Sequence, residues 1–157
     1  MEYIKRPKYL TQIEPFIDKP VIKILTGMRR VGKSTLLTII KDSILQEVPD
    51  ERKVYINFES LEFLEINNAT LLAKYLIETT KHLDGKLYYF FDEIQYAQDW
   101  DRWLKIIYDT QLDAQIVATG SASPVLIKGN QESGTGRWSV ISVPTLSFYE
   151  YCALLDL

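Results

Sequence analysis

The segment "LTGMRRVGKST" (25–35) constrains the fold of this chain more than any other part of the sequence. Its residues Gly27, Gly32, Lys33 and Ser34 match the spacing G-x-x-x-x-G-K-[ST]. Two glycines at that spacing permit a tight backbone path whose N–H groups point inward, which is the geometry of a loop that binds phosphate. Such a loop connects a strand to a helix, so the segment predicts a β-strand, a loop and an α-helix in that order.

The spacing of apolar residues predicts the strand before this loop and the helix after it, and further strands and helices along the chain. Strand patterns cover residues 21–27, 53–59, 86–94, 114–121 and 138–146. Helical spacing of apolar residues covers 32–48 and 68–83. A further helix is predicted after Asp99, and the segment "SFYEYCALL", from Ser147, is predicted to begin a last one. Strands that alternate with helices in this way predict one three-layer α/β domain with a mostly parallel sheet over residues 1–157.

The loop offers three kinds of group to a nucleotide. Its backbone N–H groups and the positive end of the helix attract phosphate, Lys33 places an ammonium by the β- and γ-phosphates, and Ser34 offers a hydroxyl to Mg²⁺. A structural glycine-rich turn is the alternative, and the strand-to-helix context favours phosphate. The candidate nucleotide-binding residues are Gly27, Met28, Arg29, Arg30, Val31, Gly32, Lys33, Ser34 and Thr35.

Two acidic residues follow the apolar run "LYYFF", which has the continuous character of a central strand. Ionised carboxylates beside a buried strand are costly unless a cation or a chemical role compensates them. We expect Asp92 to hold Mg²⁺ and Glu93 to orient or deprotonate an attacking water. The alternative for the pair alone is a solvent-facing strand end, and the preceding phosphate loop argues against it.

Polar residues also end the strand at 114–121. If this strand lies between the loop strand and the acidic strand, Thr119 or Ser121 lies near the γ-phosphate and could hold the water or report the phosphate. An ordinary Thr/Gly/Ser turn is the equally weighted alternative.

The adjacent arginines Arg29 and Arg30 are unusual inside such a loop. Because the backbone faces the phosphates, the intervening side chains point away and are not primary β-phosphate ligands. One interpretation is that an arginine reaches the γ-phosphate edge or an acidic patch on a partner subunit. The other is a salt bridge to a local carboxylate that stiffens the loop.

Charge and cysteine usage restrict the partners and the compartment. The chain carries 18 basic and 21 acidic residues, but residues 1–34 carry eight basic and three acidic ones. Positive charge therefore gathers around the loop, although a solvated basic face would look the same, and the acidic remainder gives nucleic-acid binding no support. The single cysteine, the short apolar runs and the lack of an apolar signal core predict a cytoplasmic protein without a membrane span.

An ordered set of motifs adds a resemblance to these inferences: "TGMRRVGKSTLL", "FFDEIQ", "DWDRWLKIIYD", "IVATGSAS", "GTGRW" and "PTLSFYEY". In this order they resemble the AAA-type ATP-binding domain of a large prokaryotic ATPase family that normally carries a C-terminal domain of unknown function. The resemblance covers almost the whole chain. It implies a P-loop fold of the additional-strand type with strand order 5-1-4-3-2, and ATP as the ligand.

The resemblance also implies roles for single residues. Thr119 or Ser121 would occupy the sensor position, and Arg137 would act as a finger toward a neighbour's γ-phosphate. The C-terminal domain of the family is expected to be missing, so the chain is expected to be a fragment. Self-association or a partner protein would then act through Arg137 and that missing domain.

Together these expectations predict an ATPase core that binds and hydrolyses Mg-ATP to drive or gate a partner. The assigned catalytic residues are Lys33, Glu93, Thr119, Ser121 and Arg137, and the metal ligands are Ser34 and Asp92. The alternatives are a nucleotide-dependent switch with little turnover, and an ATPase subunit of a DNA-processing system.

Overall fold

The structure, a computed structural model, describes residues 6–110, 113–121 and 136–155. Its helices are α1 (Pro7–Ile13), α2 (Lys33–Ile39), α3 (Ala69–Thr80), α4 (Trp100–Thr110) and α5 (Phe148–Leu154). Its strands are β1 (Ile22–Gly27), β2 (Lys53–Asn57), β3 (Leu87–Asp92), β4 (Ala114–Ser121) and β5 (Trp138–Ser142). No described helix has the length and apolar character needed to cross a membrane.

The five described strands form one parallel sheet in the order β2-β3-β4-β1-β5. Counted from β5 the order is 5-1-4-3-2, so the predicted fold class and strand order are confirmed. Strand β4 lies between β1 and β3, with Gly27 paired to Ser121 and Phe91 paired to Ala118. All strands therefore end at one edge of the sheet, which we call the carboxyl edge, and the loop after β1 begins there.

Helices cover both faces of the sheet, which explains the continuous apolar run in β3. Tyr89 and Phe91 pack into the core on the side of α3 and α4. Tyr88 and Phe90 point the other way, into the core on the side of α1 and α2. Since successive side chains of a strand alternate between faces, a strand buried on both faces must be apolar throughout. Phe90 and Phe91 are both fully buried.

Five predicted elements end earlier than their patterns, and the difference is largest in two of them. The helix predicted over 32–48 is α-helical to Ile39 and then widens into a π-helical turn over Ile40–Ile44, closed by a bond from the Leu45 N–H to the Ile40 carbonyl. The last strand ends at Ser142 and not at 146, since Pro144 has no N–H to continue a ladder.

Lys23, the second residue of β1, is a fully buried lysine. Its Nζ donates to the carbonyls of Ile17 at 3.1 Å and Lys19 at 3.0 Å, and to the Gln115 side chain. Burial lowers the pKa of this ammonium to about 8. Lys23 thereby ties the chain that enters the sheet to the neighbouring strand β4.

Candidate functional site

The loop between β1 and α2 depends on two glycines. A Cβ on Gly27 would lie 2.2 Å from the Val143 carbonyl oxygen, so the approach of the segment after β5 leaves no room for a side chain. Gly32 has φ 92°, in the left-handed region that glycine adopts without steric cost, immediately before α2. The chain can therefore turn from the strand into the helix within five residues of loop.

Lys33 is a buried cation without a carboxylate partner in the described part of the chain. Only 3% of the residue is exposed, and its Nζ donates to the carbonyl oxygens of Gly27 at 3.1 Å and Met28 at 2.8 Å. A buried charge that is balanced only by neutral carbonyls is costly. An anion bound next to the Lys33 ammonium, at the loop, would therefore be stabilised by it.

Asp92 meets three hydroxyl groups at the carboxyl edge. Ser34 Oγ donates to its Oδ1 at 3.0 Å, Thr119 Oγ1 donates to the same oxygen, and the Tyr55 hydroxyl donates to Oδ2 at 3.0 Å. Burial, together with the adjacent Asp92 carboxylate, raises the pKa of the Tyr55 hydroxyl, so it stays a donor. The site thus joins α2, β2, β3 and β4 through one carboxylate that is only 2% exposed.

Glu93 follows in a left-handed backbone conformation, with φ 55° and ψ 50°. Its N–H donates to Thr119 Oγ1 at 2.9 Å, and its carboxylate contacts Gln95 and Ser121. Thr119 therefore touches both acidic residues, whereas Ser121 touches only Glu93. The structure brings Ser34, Asp92, Glu93, Thr119 and Ser121 together next to the loop.

The two loop arginines have different surroundings. Arg29 Nη2 donates to Glu59 Oε1 at 2.9 Å and to the Tyr96 hydroxyl at 2.9 Å, in an exposed pair. Arg29 thus has the local salt bridge that one interpretation of the sequence described. Arg30 has φ 63° and is exposed, and its side chain makes no hydrogen bond or ion pair with the described residues.

The other loop side chains divide by burial. Met28 is 69% exposed, whereas Val31 packs into the core on the α2 side. Thr35 lies in the first turn of α2 and is half-buried. Their side chains make no described contact with Asp92 or Glu93, so a role in nucleotide binding would fall to their backbone.

Arg137 lies at the end of the sheet where the strands begin, opposite to the carboxyl edge where the loop lies. It directly precedes β5, its carbonyl accepts the Ile22 N–H at 2.9 Å, and its Nε donates to Asp109 Oδ1 at 3.2 Å. From Ile22 to Gly27 the strand rises roughly 16 Å, so Arg137 does not reach the loop of its own chain. Any contact with a phosphate would have to cross to another subunit.

Three residues of the site were not indicated by sequence reasoning: Arg6, Tyr55 and Gln95. Arg6 is 3% exposed, and its guanidinium donates to the Val31 carbonyl in the loop at 2.9 Å. It also donates to Glu150 Oε1 at 2.6 Å and to the Pro144 carbonyl at 3.2 Å. The only signal for Arg6 was its place in the basic N-terminal segment, which does not identify a partner.

The partner of Arg6 belongs to the start of α5. Glu150 closes a capping box, accepting from the Ser147 N–H at 2.8 Å while the Ser147 hydroxyl accepts from the Glu150 N–H at 3.2 Å. The hydrogen bonds from Arg6 lower the pKa of Glu150 to about 2. One guanidinium therefore connects the loop, the segment after β5 and the last helix.

The chemistry that these groups can support is narrow. No cluster of three or more His, Cys, Asp or Glu side chains that could hold a metal exists among residues 6–110, 113–121 and 136–155. A divalent ion would therefore need most of its ligands from water or from a bound anion, which is how Mg²⁺ is usually held. Ser34 and Asp92 offer the hard oxygen atoms that such an ion prefers.

Comparison with known proteins finds relatives that match most of the chain. A family model described as AAA domain matches residues 19–152. An uncharacterised protein from Haemophilus influenzae is 32% identical over 149 residues, covering 94% of this chain and 37% of that protein. The protein MJ1544 of Methanocaldococcus jannaschii is 31% identical over 156 residues, covering 96% and 33%. The chain spans about a third of the length of these curated relatives.

Solved structures share the fold at much lower identity. The ORC1 protein of Aeropyrum pernix, solved in complex with DNA, superposes with a TM-score of 0.69 at 12% identity, over 99% of this chain and 50% of that chain. PCH-2 of C. elegans superposes with a TM-score of 0.61 at 16% identity, over 95% and 44%. With the family model and two relatives above 30% identity over most of its length, the chain belongs to the AAA domain family, and it is an ATPase-like nucleotide-binding domain.

Proposed function

We propose that this domain binds Mg-ATP, hydrolyses the bond between the β- and γ-phosphates, and uses the change to drive or gate a partner. The observation that carries the proposal is the meeting of Ser34 and Asp92 at 3.0 Å beside a loop that holds the buried ammonium of Lys33. A buried cation with only carbonyl partners and a hydroxyl–carboxylate pair suit a polyphosphate with its metal.

The roles follow from these positions. The backbone N–H groups from Gly27 to Thr35 bind the phosphate oxygens, and Lys33 neutralises their charge. Ser34 and Asp92 hold Mg²⁺, which supplies further positive charge to the phosphates when it is bound. Glu93 orients and deprotonates the attacking water.

Thr119 and Ser121 divide the sensor role that the sequence left open between them. The hydroxyl of Thr119 is shared between Asp92 and the Glu93 N–H, so it holds the two acidic residues in register. Ser121 pairs with Gly27 across the two strands and contacts the Glu93 carboxylate. Ser121 is therefore the better candidate to respond to the γ-phosphate.

A nucleotide-dependent switch with little turnover is the second candidate. Its support is the Glu93 carboxylate, which is engaged by Gln95 and Ser121 in this structure. A base held by two neighbours could report the nucleotide through a shift of those contacts without rapid hydrolysis. An ATPase subunit of a DNA-processing system has the support of the fold shared with ORC1, whose structure was solved with DNA, but the acidic composition does not favour it.

The proposed function is tested by phosphate release from Mg-ATP by the purified chain. We expect release above background that Lys33→Ala abolishes, because that variant loses the charge that neutralises the phosphates. Binding of a fluorescent ATP analogue is measured on the same samples. Binding that depends on Lys33, with no phosphate release, would contradict the hydrolytic function and favour the switch. No binding at all would contradict both.

Arg30 is proposed to reach the γ-phosphate edge or a neighbouring subunit, and Arg29 is its matched control. We expect Arg30→Ala to lower turnover on the order of tenfold, the loss of one charge-assisted hydrogen bond, while ATP affinity and melting temperature stay constant. Arg29→Ala removes only an exposed ion pair and should change turnover little. Equal turnover in Arg30→Ala and the unchanged chain would refute the role.

A partner subunit is part of this proposal. Arg137 is proposed to act on the γ-phosphate of a neighbour, since the sheet separates it from the loop of its own chain. The remaining two thirds of the longer relatives leave room for a further domain that receives the output.

A further inference from the structure

Gln95 joins the two polar strand ends of the site. It lies in the short turn Ile94–Tyr96 that follows Glu93. Its Nε2 donates to Glu93 Oε2 and, at 2.8 Å, to Ser121 Oγ. Ser121 Oγ also lies 3.4 Å from the same Glu93 oxygen. The three side chains thus form a closed triangle at the carboxyl edge.

The left-handed backbone of Glu93 makes this contact possible. At φ 55° the chain turns back on itself, so the side chain of the residue two positions later meets the carboxylate. Such a conformation is uncommon for a residue with a Cβ, and it persists only where its surroundings hold it. The bond from the Glu93 N–H to Thr119 Oγ1 at 2.9 Å is one such restraint, and the Gln95 amide is the other.

The hydrogen-bonding capacity of Gln95 fixes its orientation. An amide nitrogen has two protons, and Glu93 and Ser121 accept them both. The amide oxygen Oε1 is buried and has no partner among the described residues. If the Gln95 amide were rotated by about 180°, its oxygen would face the Glu93 carboxylate, and the two hydrogen-bond acceptors would repel each other. Gln95 therefore gives up the hydration of its oxygen and keeps both donors on Glu93 and Ser121.

We propose that Gln95 is a positioning residue for the hydrolysis proposed above: it holds the Glu93 carboxylate toward Ser121, beside the phosphate loop. The inference rests on the proposed function. Ser121 pairs with Gly27, the first residue of the loop, so a carboxylate drawn to Ser121 is drawn toward the phosphates. Without the amide donor, Glu93 is free to turn away from the bound nucleotide and toward solvent.

Steady-state kinetics with Mg-ATP test this role. Gln95→Ala should lower kcat 10- to 100-fold with KM within about twofold of the unchanged chain, since misplacing a catalytic group by about 1 Å has effects of that size. Gln98→Ala is the matched control, because Gln98 is an exposed glutamine on the same loop with no described side-chain contact. An unchanged kcat in Gln95→Ala would overturn the proposal. A raised kcat would overturn it too, because it would show that Gln95 holds Glu93 in an inhibited position.

A second measurement needs no ATP. Melting temperatures of Gln95→Ala, Glu93→Ala and the double variant report whether the two side chains interact. We expect the double variant to melt above the value that the two single shifts predict by addition, because each single variant already loses the shared contact. Additive shifts would overturn the proposal whatever the kinetics show. If the unchanged chain releases no phosphate, the proposed function fails and the kinetic role fails with it, whereas coupling in the melts would still establish the contact.

Discussion

Glu93→Gln is expected to lower phosphate release from Mg-ATP at least about 100-fold while ATP stays bound, because a general base contributes about 10²- to 10⁴-fold and an amide cannot accept a proton. The substitution keeps the size of the side chain and an oxygen that can accept the bond from Gln95. Phosphate release and the affinity for a fluorescent ATP analogue are measured on the same protein. The expected result is trapped ATP, with affinity within about threefold of the unchanged chain.

This variant separates the two candidate functions. In a switch with little turnover, Glu93→Gln would leave the slow release of phosphate where it was, since no base would be limiting. Lys33→Ala is the opposite control, because it removes the charge that holds the phosphates and should weaken ATP binding itself. A Glu93→Gln chain that loses ATP affinity as strongly as Lys33→Ala would show that the carboxylate supports binding and not the attack of water.

Arg6→Met is expected to lower the free energy of unfolding by about 2–3 kcal/mol, between the cost of breaking a fully buried ion pair and that of breaking a surface one. Arg6 is buried whereas the Glu150 side chain is 19% exposed, so the carboxylate would lose its counter-charge but keep part of its hydration. The carbonyls of Val31 and Pro144 would lose their donor as well. Denaturant unfolding at neutral pH gives the value, and a loss below about 1 kcal/mol would mean that the pair acts as a surface ion pair.

The pH dependence of the same contact has a definite sign. The pKa of Glu150 is about 2 in the folded chain and 4.5 as its ordinary value. A carboxyl group whose pKa falls on folding stabilises the protein above the ordinary pKa and loses that contribution as pH falls through the folded one. The unchanged chain should therefore lose this part of its stability between about pH 4.5 and 2. Glu150→Gln should lack that component of acid destabilisation, whereas Arg6→Met should lose the part that comes from Arg6 and keep the part that comes from Ser147.

The fold was largely readable from the sequence, and the reason lies in the strands. The run "LYYFF" has no charged position, which favours a strand buried on both faces, and β3 is such a strand. The strand order came from the resemblance to AAA-type domains and is confirmed by the sheet. Element ends were less readable: the π-helical turn over Ile40–Ile44 continues the apolar spacing of α2, so periodicity alone does not mark where α-helical bonding stops.

The site was readable only where a local motif reports it. The loop residues and the acidic pair stand in fixed spacings, and parallel strands bring their ends to one edge. The contacts of Arg6 with Val31 and Glu150 span 25 and 144 residues, and no local spacing encodes them. The role of Gln95 was not predicted from the sequence for a different reason. Its meeting with Glu93 requires a left-handed glutamate, which backbone preferences disfavour and tertiary contacts impose.

The hydrogen bonds that Arg6 makes to the loop and to the last described helix also have a mechanical consequence. The chain at residue 6 and the helix that begins at Phe148 hold the same guanidinium, and that guanidinium holds the carbonyl of Val31. A force applied to α5 would therefore also act on the hydrogen bond between Arg6 and the loop. Conversely, a loop that tightens around its ligand would pull on the first turn of α5. The loop after β1 and the last described helix are thus mechanically coupled, and Arg6 makes the hydrogen bonds that connect them.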